Sequence, residues 1–184
     1  MDTRPWTQSL DAVTADVENE FGSLTPGQLN WKVNDTRWSI AQILDHVMVT
    51  NRTYYPIMES LKQGTYEVPW IGKVGFMVRF FGNFLYNSLQ PDRRRRMKTF
   101  PLWEPRKSNL PADMVQQFVL HQREFKEKID GCAELLEQGV VISSPVNRNI
   151  VYTLERAFDI LNVHEKRHME QAREVRSMML NSKI

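Results

Sequence analysis

The chain has 184 residues, of which 41% are hydrophobic and 25% are charged, and its formal net charge is +2. This length predicts one domain, residues 1–184, with an ordinary core, and the near-neutral charge favours neither a nucleic acid nor a membrane as partner. The single cysteine, Cys132, excludes an internal disulfide framework and a multi-cysteine zinc site. Because no segment approaches the ~20 apolar residues of a membrane span and the N-terminus lacks a signal-peptide pattern, we expect a cytoplasmic protein.

The first two predicted helices are amphipathic. Apolar residues recur every three or four positions over about residues 5–24, which predicts the first helix. The second helix is predicted to begin at Ser39, because Ser39 and Gln42 fit a capping box. Its apolar stripe continues to Leu61, and His46 lies at the edge of that stripe.

A long connection, residues 63–110, separates the second and third helices. A structureless loop of that length would be unusual, and the apolar, aromatic segment Lys73–Leu89 predicts a helix or helical hairpin within it. This segment is either a lid over a pocket, a dimer surface or additional core. The run Arg93–Arg96 that follows is of a kind that can bind phosphate or nucleic acid, but no recognition motif accompanies it and a solvated face is the usual role.

The last two helices complete an all-α pattern. The third is predicted over about Pro111–Gln138, with His121 beside its apolar face, where we expect a surface histidine rather than a further group of a site. Residues 140–149 are predicted to be a linker, and the fourth helix is predicted over about Ile150–Leu180. With no convincing strand pattern, the predicted fold is a four-helix bundle whose crossover between helices two and three carries the extra helical segment.

The fourth helix carries His164 and His168, which are four residues apart and therefore lie on one face. That face is the apolar one, and two buried imidazoles are costly unless each has a partner. A shared divalent metal suits both; core histidines bonded to carbonyls, or a solvated pair at a helix edge, are the alternatives. His46 on the facing helix is the natural third ligand.

A three-histidine site predicts a particular chemistry. Three neutral imidazoles leave coordination positions open, as in catalytic rather than structural sites, and the metal acidifies a bound water or holds a substrate thiol as thiolate. His164–His168 also satisfies the His-Glu-x-x-His metallopeptidase signature. The charged Lys166 and Arg167, and the 16 residues left after His168 for a third ligand, weigh against a peptidase. Glu165 remains a candidate base or supporting group.

Two motifs together resemble those of a known family. Trp38-Ser-Ile with His46, preceded by the Leu-Thr-Pro-x-Gln-Leu turn of Leu24–Leu29, resembles the helix-two entry of the DinB-like (DNA-damage-inducible, YfiT-type) proteins. His164, His168 and Gln171 match that family's closing motif, His-x-x-x-His with a glutamine three residues later. Residues 63–92 are the least typical part.

The resemblance implies a four-helix bundle whose His46, His164 and His168 bind a divalent metal, often in a homodimer. Zinc or nickel comes first, with iron or manganese as alternatives. Some relatives are thiol-dependent transferases or isomerases that use a low-molecular-weight thiol, so we expect a metal-dependent S-transferase or isomerase acting on a small molecule. The alternatives are a metal-dependent hydrolase, or a non-catalytic metal-binding or stress-associated interaction protein that dimerises through Phe76–Tyr86.

Overall fold

The computed structural model describes residues 1–90, 99–105 and 109–182. Its helices are α1 (Arg4–Phe21), α2 (Pro26–Leu29), α3 (Ile40–Arg52), α4 (Tyr55–Lys62), α5 (Gly75–Ser88), α6 (Met114–Asp130), α7 (Ala133–Glu137) and α8 (Leu154–Asn181). Its strands are β1 (Val141–Ser144) and β2 (Asn147–Thr153), and the crossover adds the 3₁₀ turns Trp70–Lys73 and Pro101–Trp103. The described chain is therefore mostly helical, as the sequence predicts, with one small sheet.

The long helices α1, α3, α6 and α8 pack on one another. Helix α1 contacts α6 and α8, and α3 contacts the same two helices. Each helix turns its apolar stripe inward; on α1 the buried side chains are Leu10, Val13, Val17 and Phe21. The spacing of three or four between them is the helical period on which the prediction rested.

The start of α3 is as predicted. Ser39 is its N-cap, and the side chains of Ser39 and Gln42 exchange hydrogen bonds with each other's backbone N–H. The predicted second helix is divided, however, by a turn at Thr53 and Tyr54 before α4. Pro56 explains the division, because it has no N–H to donate to the carbonyl of Arg52 and its ring would clash with that carbonyl in a continuous helix.

The predicted linker at 140–149 is wrong, and so is the start of the last helix at Ile150. Strands β1 and β2 form an antiparallel hairpin in which Ile142 pairs with Tyr152. Helix α8 begins only at Leu154, because the Thr153 side chain caps it by accepting a hydrogen bond from the Arg156 N–H. β-branched and aromatic residues on both sides of a Pro145 turn were the missed signal.

The crossover and the third predicted helix also differ in detail. The helix predicted within Lys73–Leu89 is present as α5, a single helix that contacts β2 and α8. The third helix is divided into α6 and α7 by a turn at Gly131 and Cys132. Helix α7 ends before Gly139, whose φ of 62° is a left-handed conformation that glycine adopts without a steric cost.

Two buried apolar clusters form the core. One contains Phe21, Ile43, Phe118 and Met169, and the other contains Leu10, Phe125, Tyr152, Phe158 and Leu161. On α8, Leu161 belongs to one cluster and Met169 to the other, so the two histidines between them lie where the clusters meet. Among the described helices, none is both long and apolar enough to cross a membrane.

Candidate metal centre

His46 is held in one orientation by the crossover. Its side chain is 2% exposed, and its Nδ1 lies 2.6 Å from the backbone oxygen of Trp103 in the 3₁₀ turn. A carbonyl oxygen only accepts, so Nδ1 carries the proton and Nε2 keeps its lone pair. The indole N–H of Trp103 donates in turn to Thr53 Oγ1 at 3.3 Å, which ties this turn to the end of α3.

Helix α8 brings its two histidines to the same point. His46 Nε2 lies 3.1 Å from His164 Nε2, and the ring centre of His168 lies 4.5 Å from that of His46 and 4.4 Å from that of His164. His168 Nδ1 lies 2.9 Å from the side-chain oxygen of Gln171 and donates to it, which leaves its Nε2 unprotonated. The predicted set of three histidines is therefore assembled in space.

The geometry fits a single divalent ion. One nitrogen from each of His46, His164 and His168 can be chosen so that all three lie within 4.8 Å of one another. At the usual metal–nitrogen distance, two ligands with an angle between right and tetrahedral lie about 2.8–3.4 Å apart, and the 3.1 Å separation of His46 and His164 falls in that range. His164 Nδ1 is buried with no hydrogen-bond partner among the described residues, so nothing at Nδ1 fixes which nitrogen of this ring carries the proton.

Burial keeps the three imidazoles neutral. Burial lowers the pKa of His46, against the opposing effect of the Trp103 carbonyl. Burial lowers the pKa of His164 well below its usual range, and the neighbouring His168 and His46 lower it further. For His168, burial lowers the pKa to about 3, with the electrostatic effect of the neighbouring His46 in the same direction and the hydrogen bond to Gln171 in the opposite one. Neutral imidazoles are the form that binds a metal.

Trp38 covers one side of the cluster. Its ring centre lies 4.8 Å from that of His46 and 6.2 Å from that of His168. Of the three histidines, His168 alone is half-buried rather than buried, so it is the most exposed of the three.

A buried polar network lies next to the cluster, and most of it was not predicted. Glu165 is 1% exposed, and its two carboxylate oxygens accept from Asn51 Nδ2 at 2.7 Å and Gln122 Nε2 at 2.6 Å. Burial raises the pKa of Glu165 to about 7, although these two donors act in the opposite direction. The signal available in the sequence was the presence of Asn51 and Gln122 on otherwise apolar helix faces.

His121 is not at the surface, which corrects the prediction. It is 1% exposed and lies in the same network, with Nε2 accepting from Asn51 Nδ2 at 3.1 Å. Its ring centre lies 6.1 Å from that of Tyr55 and 6.1 Å from that of Phe125, and those two centres lie 6.3 Å apart. Tyr55 of α4 covers a position that the apolar stripe of α6 alone leaves at the edge.

A family model described as the DinB superfamily matches residues 9–172. The chain belongs to the DinB superfamily. The match covers most of the chain and includes all three clustered histidines and the crossover. No curated protein and no solved structure matches this DinB-superfamily chain.

The peptidase alternative finds no support in this geometry. In the His-Glu-x-x-His signature the glutamate must be free to take a proton from water, whereas both oxygens of Glu165 are engaged by amide groups. The third histidine comes from α3 and not from a segment after α8.

The run Arg93–Arg96, which the sequence offers as a phosphate or nucleic-acid contact, lies outside the described residues.

Proposed function

We propose that His46, His164 and His168 bind one divalent metal ion, zinc or nickel first, with iron or manganese as alternatives. The observation that supports this most directly is the separation of 3.1 Å between the Nε2 atoms of His46 and His164. The His46 ring donates its Nδ1 proton to a backbone carbonyl, so its Nε2 carries a lone pair. Without an ion, the Nε2–H of His164 can donate to the Nε2 lone pair of His46 at this distance. With an ion, the two nitrogens can share the metal in place of that proton.

We propose further that the site activates the thiol of a small cosubstrate for S-transfer or isomerisation of a small electrophile. When bound, the ion would supply Lewis-acid chemistry that lowers the pKa of a thiol or water in contact with it. The chain cannot supply the thiol itself at this site, because its one cysteine, Cys132, is buried in the core cluster that contains Leu10 and Phe125. Burial also raises the pKa of the Cys132 thiol, which disfavours its reactive form.

The residues around the site restrict access and position the ligands. Trp38 packs against His46, and His168 is the one of the three histidines that is half-buried rather than buried. A substrate of this site would have to be small enough to reach the ion past these side chains. The proposed frame is a four-helix bundle of α1, α3, α6 and α8, which holds ligands from two facing helices. We also propose that the protein is a homodimer, as the family resemblance implies, and that it is cytoplasmic, as the sequence composition indicates.

The test is turnover of a chromogenic aryl halide by metal-loaded protein with cysteine or glutathione as thiol. The thiolate displaces the halide, so a C–S bond forms, the halide leaves with the electron pair and the thiol proton goes to solvent. We expect turnover that requires both metal and thiol and is lost in His164→Ala. Turnover of an ester by water alone would favour the hydrolase alternative.

The non-catalytic alternative rests on the burial of His46 and His164. It predicts stoichiometric metal that a small chelator removes very slowly, and no turnover with any thiol. Rapid exchange of the metal together with thiol-dependent turnover would exclude it.

A further inference from the structure

Helix α5 presents a row of aromatic side chains to solvent. Phe76, Phe80 and Phe84 are 67%, 51% and 57% exposed, and Trp70, just before the helix, is 75% exposed. Consecutive rings stack along the helix, with centres 6.2 and 6.3 Å apart. We call these four residues the aromatic ridge. Exposed aromatic residues grouped in this way mark an interaction surface.

The ridge is not a consequence of loose packing, because the opposite face of α5 is firmly seated. Val78 and Gly82 are buried there. A Cβ atom at Gly82 would lie 3.3 Å from Tyr152 Cβ and 2.9 Å from Arg156 Cγ, so the helix backbone lies directly against β2 and α8. The Arg156 guanidinium also lies 5.0 Å from the Tyr86 ring centre. The helix is therefore fixed with its aromatic residues outward.

The charged side chains of the ridge segment itself, residues 68–90, have one sign. Between residues 68 and 90 the only charged side chains are Lys73 and Arg79, and both are exposed. No acidic residue occurs in this stretch, and neither cation forms an ion pair with any other described residue. The near-neutral charge of the whole chain conceals this local excess.

These charges argue against a second copy of the chain as the partner that covers the aromatic ridge. In a two-fold dimer the same surface meets itself, so a dimer through the ridge would place Lys73 and Arg79 of both copies in one interface, to which residues 68–90 contribute no carboxylate. Apolar aromatic side chains beside lysine and arginine are instead the composition of helices that lie in the interface of an anionic bilayer.

We propose that the aromatic ridge docks on an anionic lipid surface. Phe76, Phe80 and Phe84 enter the headgroup region, Trp70 lies at its boundary, where indole rings are favoured, and Lys73 and Arg79 contact the lipid phosphates. The attachment is peripheral and reversible, because one helix face provides it. This proposal replaces the sequence-based expectation of no membrane partner and is independent of the metal site.

The test is cosedimentation of the full chain with vesicles of phosphatidylcholine, either pure or containing about one third phosphatidylserine. Two double variants remove the aromatic and the charged part separately: Phe76→Ser with Phe80→Ser, and Lys73→Glu with Arg79→Glu. The matched control is Leu120→Ser, because Leu120 on α6 is 62% exposed and lies outside the ridge. Circular dichroism verifies that each variant is folded, and sedimentation velocity gives the oligomeric state.

We expect binding to the anionic vesicles only, weakened by salt, reduced about tenfold or more in both double variants and unchanged in Leu120→Ser. Absence of binding to anionic vesicles would overturn the proposal, as would equal binding to both vesicle types or equal loss in the control. A wild-type dimer that the Phe76→Ser/Phe80→Ser variant converts to monomer, without vesicle binding, would assign the ridge to a second copy instead.

Discussion

Asn51 on α3 donates a hydrogen bond of 2.7 Å from Nδ2 to Oε1 of Glu165 on α8. Asn51 lies five residues after His46, and Glu165 directly follows His164, so the bond joins the two helices beside the histidines that they carry. Gln122 on α6 holds the other carboxylate oxygen. The network therefore fixes the position of His46 relative to His164 and His168.

Replacing Asn51 by Ala is expected to weaken metal binding, although Asn51 is not one of the three proposed ligands. Loss of the bond frees α3 to shift relative to α8, and supporting groups of this kind contribute about 10–100-fold to metal affinity. Competition with a chromogenic chelator measures the effect. The control is Gln117→Ala, which removes an amide bonded to Asp113 on the exposed side of α6. Equal metal affinity in Asn51→Ala and wild type would show that the network has no role in positioning.

Replacing Trp103 by Ala is expected to loosen the 3₁₀ turn whose carbonyl accepts from His46. The indole bond to Thr53 Oγ1 and the edge contact with the Phe100 ring, 5.7 Å between centres, both disappear. The dissociation constant of the metal should rise by about tenfold, measured by the same competition. Leu102→Ala is the neighbouring control, because that side chain is exposed. An equal rise of the dissociation constant in both variants would indicate that the crossover as a whole is disturbed rather than the turn at Trp103.

Replacing His121 by Gln is expected to change how stability depends on pH. Burial lowers the pKa of His121 to about 3, and the charge of Arg52 adds to this, whereas the unfolded chain has a value of about 6.5. As pH falls below that value, the unfolded state takes up a proton that the folded state does not. The free energy of unfolding should therefore fall with decreasing pH, by up to about 1.4 kcal/mol per pH unit from this residue.

Urea unfolding at several pH values between about 4 and 7 measures this dependence. In His121→Gln the free energy of unfolding should fall less steeply with decreasing pH than in wild type. The difference in slope corresponds to one proton, or up to about 1.4 kcal/mol per pH unit. Parallel curves for the two proteins would contradict the assignment of a neutral, buried His121.

Replacing Gly82 by Ala is expected to destabilise the packing of α5 on β2 and α8. The added methyl group meets Tyr152 Cβ, which is fully buried and cannot move aside, and overpacking of this kind costs about 1–3 kcal/mol. Thermal unfolding measures the loss. Gly75→Ala is the matched control in the same helix, because a Cβ there meets nothing within 4 Å. Equal melting temperatures for both variants would show that α5 is not packed closely on β2.

Local patterns carried much of what could be predicted. The four-residue spacing of His164 and His168 on an apolar face, and the capping box at Ser39, are fixed by helix geometry and need no knowledge of the rest of the chain. The position of His46 at the edge of the apolar stripe of the next predicted helix added it to the pair, and the DinB resemblance, which the family match confirms, implies the same three residues.

Contacts between distant segments could not be predicted. His121 was placed at the surface because one helix stripe does not reveal the cover that Tyr55 provides from α4. The bond from His46 to the Trp103 backbone depends on the path of the crossover, which no side-chain pattern encodes. The hairpin around Pro145 was different, because its β-branched residues were visible but were outweighed by the helical pattern on both sides.

The most direct test of the central claim is the metal content of the purified chain by elemental analysis. The chain has four histidines, so His121→Gln is a matched control for His46→Ala. We expect about one divalent metal per chain in wild type and in His121→Gln, and loss of the metal in His46→Ala. Stoichiometric metal retained by a folded His46→Ala protein, or none in wild type supplied with zinc and nickel, would contradict the three-histidine site.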